Sequence, residues 1–251
     1  MQQIMLLINA KILLDQAWGI YKKRLRVFLG IMAFPIFASL LLTAFLLLDV
    51  SLLRAHSAFF NMLGLGILIL SGFLTLGVIV IQLWSQIALL YAIKDREENI
   101  GIKESYRRGW SKIISYFWVS FLSGIIIAGG TFLFFVPGLI FFIWFSLASF
   151  VFISENKKGW AALAASKDYV KGNWRAVFWR FLFIGIIAYL FLYLFNALAV
   201  FTDTLVIDKI YIYIGYALLT PMVTIYSFLI YENLKKIHSS DLVVQSVELK
   251  K

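Results

Sequence analysis

Residues able to do chemistry are few in this chain. Its two histidines, His56 and His238, stand in no H-E-x-x-H or similar array, so the sequence offers no histidine metal site. It has no cysteine, which removes thiolate catalysis, zinc–thiolate centres and disulfides. No G-x-S-x-G elbow, phosphate-binding loop or G-x-G-x-x-G turn occurs. The carboxylates next to apolar runs (Glu155, Asp168, Asp203 and Asp208) are too scattered for a metal-dependent phosphatase site. Gln82 and Gln86 lie four apart, on one face of a helix, and Asn196 is the other notably polar group inside an apolar run. Such a glutamine pair either meets a polar headgroup or hydrogen-bonds a neighbouring helix. No catalytic residue, cofactor or metal is expected, and the chain does not read as an enzyme.

The elements that would carry these groups are set by composition. Of 251 residues, 62% are hydrophobic and only 14% charged, against about 25% charged in soluble domains. Most of the chain must lie in lipid, as an all-α polytopic membrane protein. The net charge of +10 comes from Lys and Arg that flank apolar runs. That placement points to anionic headgroups on the cytoplasmic side and not to nucleic acid. The interiors of the runs hold no Asp, Glu, Lys or Arg, which argues against a proton- or sodium-coupled transporter. No cleavable leader is evident in "MQQIMLLINAKILLDQ".

Uncharged runs mark the crossings. The run between Lys112 and Glu155 has 42 positions; as one helix at ~1.5 Å per residue it would be about twice as long as a ~30 Å hydrocarbon core is thick. Pro137–Gly138 divides it and is expected to be a hairpin turn. Charge parity supports that reading. All but Arg54 and Lys209 of the 23 Lys and Arg fall in four segments: the N-terminus, 94–112, 155–180 and the C-terminal tail. If those four share the cytoplasmic side, an even number of crossings separates each pair. A re-entrant hairpin satisfies the same parity; a single Pro-kinked span does not. The expected spans are about 27–48, 62–92, 113–136, 138–154, 181–202 and 210–231. They form three hairpins within a domain over 1–235, followed by a cytoplasmic tail over 236–251. The glycines at 64, 66, 72 and 77 are expected to soften the second span without splitting it.

Interfacial segments precede the hairpins. Leu7, Ala10, Leu14, Ala17, Trp18 and Tyr21 recur at helical spacing, which predicts an amphipathic surface helix. "IYKKRLRVF" (20–28), "SYRRGWSKI" (105–113) and "DYVKGNWRAV" (168–177) each carry Tyr with a basic residue two positions on, and each leads into a crossing. The chain therefore reads as three units, each a surface helix followed by a hairpin. Glu104 is spaced to pair with Arg107 and Arg108, and Asp168 with Lys171. The segment 159–175 is expected to lie along the membrane as one helix. Trp160, Leu163 and Ala164 would face acyl chains, Trp174 would sit at the headgroup level, and Lys167, Lys171 and Arg175 would meet anionic headgroups, each basic residue contributing about 1 kcal/mol. Ser120, Gly124 and Ala128 repeat every four residues and predict a smooth face for close helix approach: packing within the chain, a seam with a second copy or protein partner, or a substrate path. Pro35 and Pro221 are expected to kink their helices.

The stretch 134–185 runs from "VPGLIFF" through "ALAAS" (162–166) to Gly172 and Trp174. It resembles the membrane domain of some glycerophosphoryl diester phosphodiesterases and the related YciC-type bacterial inner-membrane proteins. "DQAWGIYKKRLRVFLG" and "ESYRRGWSKIISYFWVSFL" are similar to the same group. The resemblance implies a bacterial, multi-pass, six-helix protein of the inner membrane, and the Lys and Arg asymmetry is expected to put both termini in the cytoplasm. In the phosphodiesterases catalysis belongs to a separate soluble domain, for which the chain beyond its last span leaves no room, so no catalytic residue carries over. The expected role is a scaffold or accessory subunit in envelope or lipid homeostasis. The alternative is a channel, lipid carrier or exporter subunit, for instance one conferring resistance to a membrane-active peptide.

Overall fold

The computed structural model describes residues 7–55, 60–199 and 205–248. It is all-helical among these residues, and six helical segments are long and apolar enough to cross a membrane. The first unit has a short helix, α1 (Ala10–Lys23), then α2 (Leu25–Ala55) and α3 (Phe60–Lys94). The second has α4 (Ile102–Trp110), then α5 (Ile113–Leu133) and an arm broken in two, α6 (Phe135–Phe145) and α7 (Ala148–Glu155). The third has α8 (Trp160–Val170), then α9 (Trp174–Ala199) and α10 (Leu205–Glu248). In each unit the two long arms pack along one another, α2 on α3, α5 on α6 and α9 on α10.

The short helices close the bundle in a cyclic order. Helix α4 packs on the hairpin of the first unit, chiefly α3; α8 packs on α6 and α7 of the second; α1 packs on α10 of the third. Each short helix thus seats chiefly on the second arm of the preceding hairpin and only secondarily on its own. Apolar side chains drive this. Leu13, Ala17 and Tyr21 of α1, and Ala162, Leu163, Ala165 and Val170 of α8, are buried in one core that continues through Ile87–Leu90 of α3 and Ile225–Tyr231 of α10. The buried stripe of α1 is centred one residue before the expected Leu14 and Trp18. Trp18 is exposed, because docking on α10, rather than lipid alone, selects the face.

Helix α3 runs unbroken through its glycines, as expected. The hairpin of the second unit turns elsewhere than predicted. The chain is extended only at Phe134 (φ −159°, ψ 148°), and Pro137–Gly138 lies inside the first turn of α6. The reason is donor bookkeeping: the first N–H groups of a helix have no internal acceptor, so Pro137 loses nothing at that position. Gly138 has a packing role. A Cβ there would fall on Thr131 Oγ1 and lie 2.7 Å from Thr131 Cα, and one on Gly130 would meet Phe141 and the Gly138 Cα. Gly130 and Gly138 are therefore the facing small residues that let α5 and α6 touch.

Other boundaries also move. The second arm of that hairpin extends over Phe135–Glu155, 21 residues instead of the expected 17, or about 31 Å at helical rise. Helix α10 continues to Glu248, so most of the predicted tail is helical. Helix α9 starts at Trp174, which places Arg175 and Arg180 inside it. Pro35 and Pro221 lie within α2 and α10.

Candidate lipid interface

Helix α8 lies within the basic segment 155–180. Its start needs unusual backbone: Asn156 (φ 56°) is left-handed, and Gly159 (φ 50°, ψ −128°) adopts a conformation that a side chain would strain. It ends at Val170, followed by Gly172 at φ 94°. The predicted single helix over 159–175 is therefore two helices around a tight turn, with Trp174 and Arg175 opening α9. Lys171 falls outside α8, and its expected pair with Asp168 is not made among the described residues. Glu104, by contrast, holds Arg107 at 2.7 Å and Arg108 at 3.0 Å.

The inner face of α8 is fixed to the second unit. Ser166 Oγ donates to the Trp144 carbonyl at 2.6 Å, and Leu163, expected in lipid, is fully buried. Between α5, α6 and α8 a cleft of about 390 Å³ opens. Its floor is aromatic and aliphatic (Ile126, Phe141, Trp144 and Phe145), and Trp160, Lys167, Asp168 and Lys171 rim it. Trp160 is 64% exposed, and Lys171, Trp174 and Arg175 are exposed. Lys167 Nζ sits 4.6 Å from the Trp144 ring centroid, a cation–π contact that holds the ammonium over the apolar floor. An apolar slot under a basic rim suits one acyl chain with an anionic head.

Beside the cleft lies a cluster that sequence reasoning passed over. Glu155 was one of several scattered acids; the fold surrounds it. Tyr169 and Tyr231 donate hydroxyls to Glu155 Oε1 at 2.7 and 2.8 Å, Lys235 Nζ lies 3.4 Å from the same oxygen, and Lys157 Nζ lies 2.9 Å from Oε2. Burial, then the Glu155 carboxylate, pushes the Tyr169 hydroxyl up, which keeps it protonated as a donor. One carboxylate thus ties α7, α8 and α10 together. Two arginines act likewise on backbone. Arg24 donates to the Ala92 and Ile100 carbonyls, and Arg180 to those of Leu7 and Ile8. Tyr with a basic residue two positions on was the one signal for such docking, since Tyr21, Tyr106 and Tyr169 all point inward. Tyr106 links the Ser85 hydroxyl and the Ile31 carbonyl at 2.8 Å each.

The remaining predicted groups separate. Ser120 is half-buried, but Gly124 and Ala128 are exposed and nothing lies within 4 Å of a Cβ on Gly124. The buried face of α5 is Tyr116, Val119 and Gly130 instead, so the small-residue repeat is not the contact within the chain. Gln82 Nε2 donates to Ser39 Oγ of α2 at 3.4 Å, the helix-packing option for that residue. Asn196 donates to its own helix at Leu192. His56 and Asp203 lie outside the described residues, and His238 packs edge-on against Tyr169. No family model, curated protein or solved structure matches this chain.

Proposed function

We propose that the chain is a non-enzymatic multi-pass protein of the bacterial inner membrane, a scaffold or accessory subunit in envelope or lipid homeostasis that engages anionic phospholipid at its basic face. The α8 cleft carries this reading: an apolar floor with room for one acyl chain, Lys167 and Lys171 beside Asp168 at the rim and Trp160 at the mouth form an amphipathic seat. The sequence resemblance of 134–185 to membrane domains of glycerophosphoryl diester phosphodiesterases agrees with a lipid-related role. Orientation follows from the skew of Lys and Arg, with both termini cytoplasmic.

The test uses the full chain in nanodiscs. Replacing Lys167, Lys171 and Arg175 by Gln removes roughly 3 kcal/mol of preference for phosphatidylglycerol over phosphatidylcholine, about a hundredfold. Raised salt weakens the wild-type preference in the same direction. Unchanged lipid preference in the triple variant would refute the α8 seat. Topology is read separately with single cysteines in this cysteine-free chain. Ser105 and Ser166 are buried and make poor probes. Lys171→Cys reacts with an impermeant thiol reagent only after permeabilisation, while Val136→Cys, at the exposed hairpin tip, reacts in sealed cells. Labelling of Lys171→Cys in sealed cells would invert the orientation.

A second reading, a lipid carrier or channel, is favoured by one observation. A cavity of about 270 Å³ between α2, α3 and α10 is lined within the apolar zone by Ser39, Gln82, Gln86, Tyr213, Tyr216 and Thr220. Lipid scrambling by the purified chain in liposomes, lost in Gln82→Leu/Gln86→Leu, would make this reading the better one.

A further inference from the structure

A second cleft, of about 400 Å³, opens where α1 crosses α10 beside the turn that follows α3. Three cations reach it from three segments: Lys23 at the end of α1, Arg96 after α3 and Lys236 on α10. Glu232 is the one acid on its wall, and Arg96 Nη2 holds both Glu232 oxygens at 3.1 Å. Lys23 and Lys236 form no ion pair among the described residues, and the cleft keeps two uncompensated positive charges. Arg96 is braced on the Phe228 ring at 5.6 Å, and its Nη1 is buried without a hydrogen-bond partner. Asn233 accepts the Ile8 N–H through Oδ1 at 3.2 Å, which leaves its amide N–H groups as donors, and Gln16 adds a second amide.

In the second unit the basic residue at the same offset is compensated by carboxylates. There the residue two after the inward tyrosine is Arg108, and three carboxylates surround it: Asp95 at 2.5 Å, Glu98 at 3.0 Å and Glu104 at 3.0 Å. In the first unit the residue two after Tyr21 is Lys23, which lines the cleft and forms no ion pair among the described residues. Holding like charges around one concavity is unfavourable unless an anion enters. We propose that this cleft binds a phosphate ester. Lys23 and Lys236 meet its oxygens as point charges, the Asn233 and Gln16 amides hydrogen-bond the phosphate or the group esterified to it, and Glu232 keeps Arg96 in place. A phosphate carries one to two negative charges, which matches the uncompensated charge of the wall. Its tetrahedral oxygens accept from directions outside one plane, which suits donors arriving from three segments.

The phosphate ester is either a lipid headgroup or a soluble molecule, and the site shares no residue with the α8 cleft. The experiment therefore starts from the Lys167→Gln/Lys171→Gln chain, in which the α8 seat is disabled, and adds Lys23→Gln/Lys236→Gln. Both added positions are exposed, so folding is not at stake. Thermal stability is measured in phosphatidylcholine nanodiscs against soluble glycerol phosphate, and in nanodiscs of rising phosphatidylglycerol content. The parent chain is expected to be stabilised by at least one of the two, and the added substitutions to weaken that response about tenfold or more. A response to phosphatidylglycerol alone identifies a headgroup, and one to glycerol phosphate a soluble ester. No response to either, or an equal response with and without Lys23→Gln/Lys236→Gln, overturns the proposal.

Discussion

Gly138→Ala destabilises the protein by about 3 kcal/mol or more, while Gly124→Ala leaves stability unchanged or slightly raised. One methyl group has opposite effects because the two glycines face different surroundings. At Gly138 the added Cβ falls 2.7 Å from Thr131 Cα and 2.8 Å from Thr131 N, atoms of a helix backbone that no rotamer change can move aside. The α5–α6 contact must open, and overpacking of this kind costs at or above the upper end of roughly 1–3 kcal/mol. At Gly124 nothing lies within 4 Å; alanine there gains helix propensity of about 1 kcal/mol at most. Unfolding of both variants by denaturing detergent, followed by circular dichroism or tryptophan fluorescence, separates the two. A Gly124→Ala loss as large as that of Gly138→Ala would mean that the exposed repeat at Ser120, Gly124 and Ala128 is covered by a second copy or partner. Equal stability of Gly138→Ala and wild type would disprove the tight hairpin.

Glu155→Ala is expected to cost about 3 kcal/mol. The substitution leaves two tyrosine hydroxyls without their acceptor and two lysines without their carboxylate, on a side chain only 11% exposed. Hydrogen bonds to a charged group contribute about 1.5–3 kcal/mol each, and breaking one side of a largely buried charge network is worse than replacing the whole. Glu155→Gln keeps an acceptor for Tyr169 and Tyr231 and should lose only about half as much. Tyr231→Phe loses the bond to Glu155 and the longer one, 3.4 Å, that its hydroxyl accepts from Lys235. The double variant Glu155→Ala/Tyr231→Phe should be less destabilised than the sum of its parts, because the groups share one oxygen. Strict additivity, or a Glu155→Ala cost below about 0.5 kcal/mol, would show that the cluster does not hold α7, α8 and α10 together.

The count of six apolar segments, their pairing as three hairpins and the short helix ahead of each hairpin were legible in the sequence. The cause is that lipid imposes a length and a polarity on every span, and both are properties of residue type alone. Charged residues marked the ends of the apolar runs for the same reason. Contacts between elements were not legible, because they depend on which faces meet. Pro137–Gly138 read as a turn by composition, yet the chain turns at Phe134. A proline is tolerated in the first turn of a helix, and the glycine answers to Thr131 across the hairpin. Ser120, Gly124 and Ala128 had the spacing of a seam, but Gly124 and Ala128 are exposed, since Gly130 and Gly138 already set the approach. Leu163 read as lipid-facing by its spacing, yet docking of α8 on α6 and α7 buries it. Glu155, Tyr169 and Tyr231 are separated by 14 and 76 positions from acid to hydroxyl, and no local pattern connects them. By itself the sequence determined what must be buried in lipid. The cyclic seating of α1, α4 and α8 on the preceding hairpins is tertiary, and it alone decided which polar groups meet and which clefts remain open, because hydrogen bonds and ion pairs require geometry that residue order does not contain.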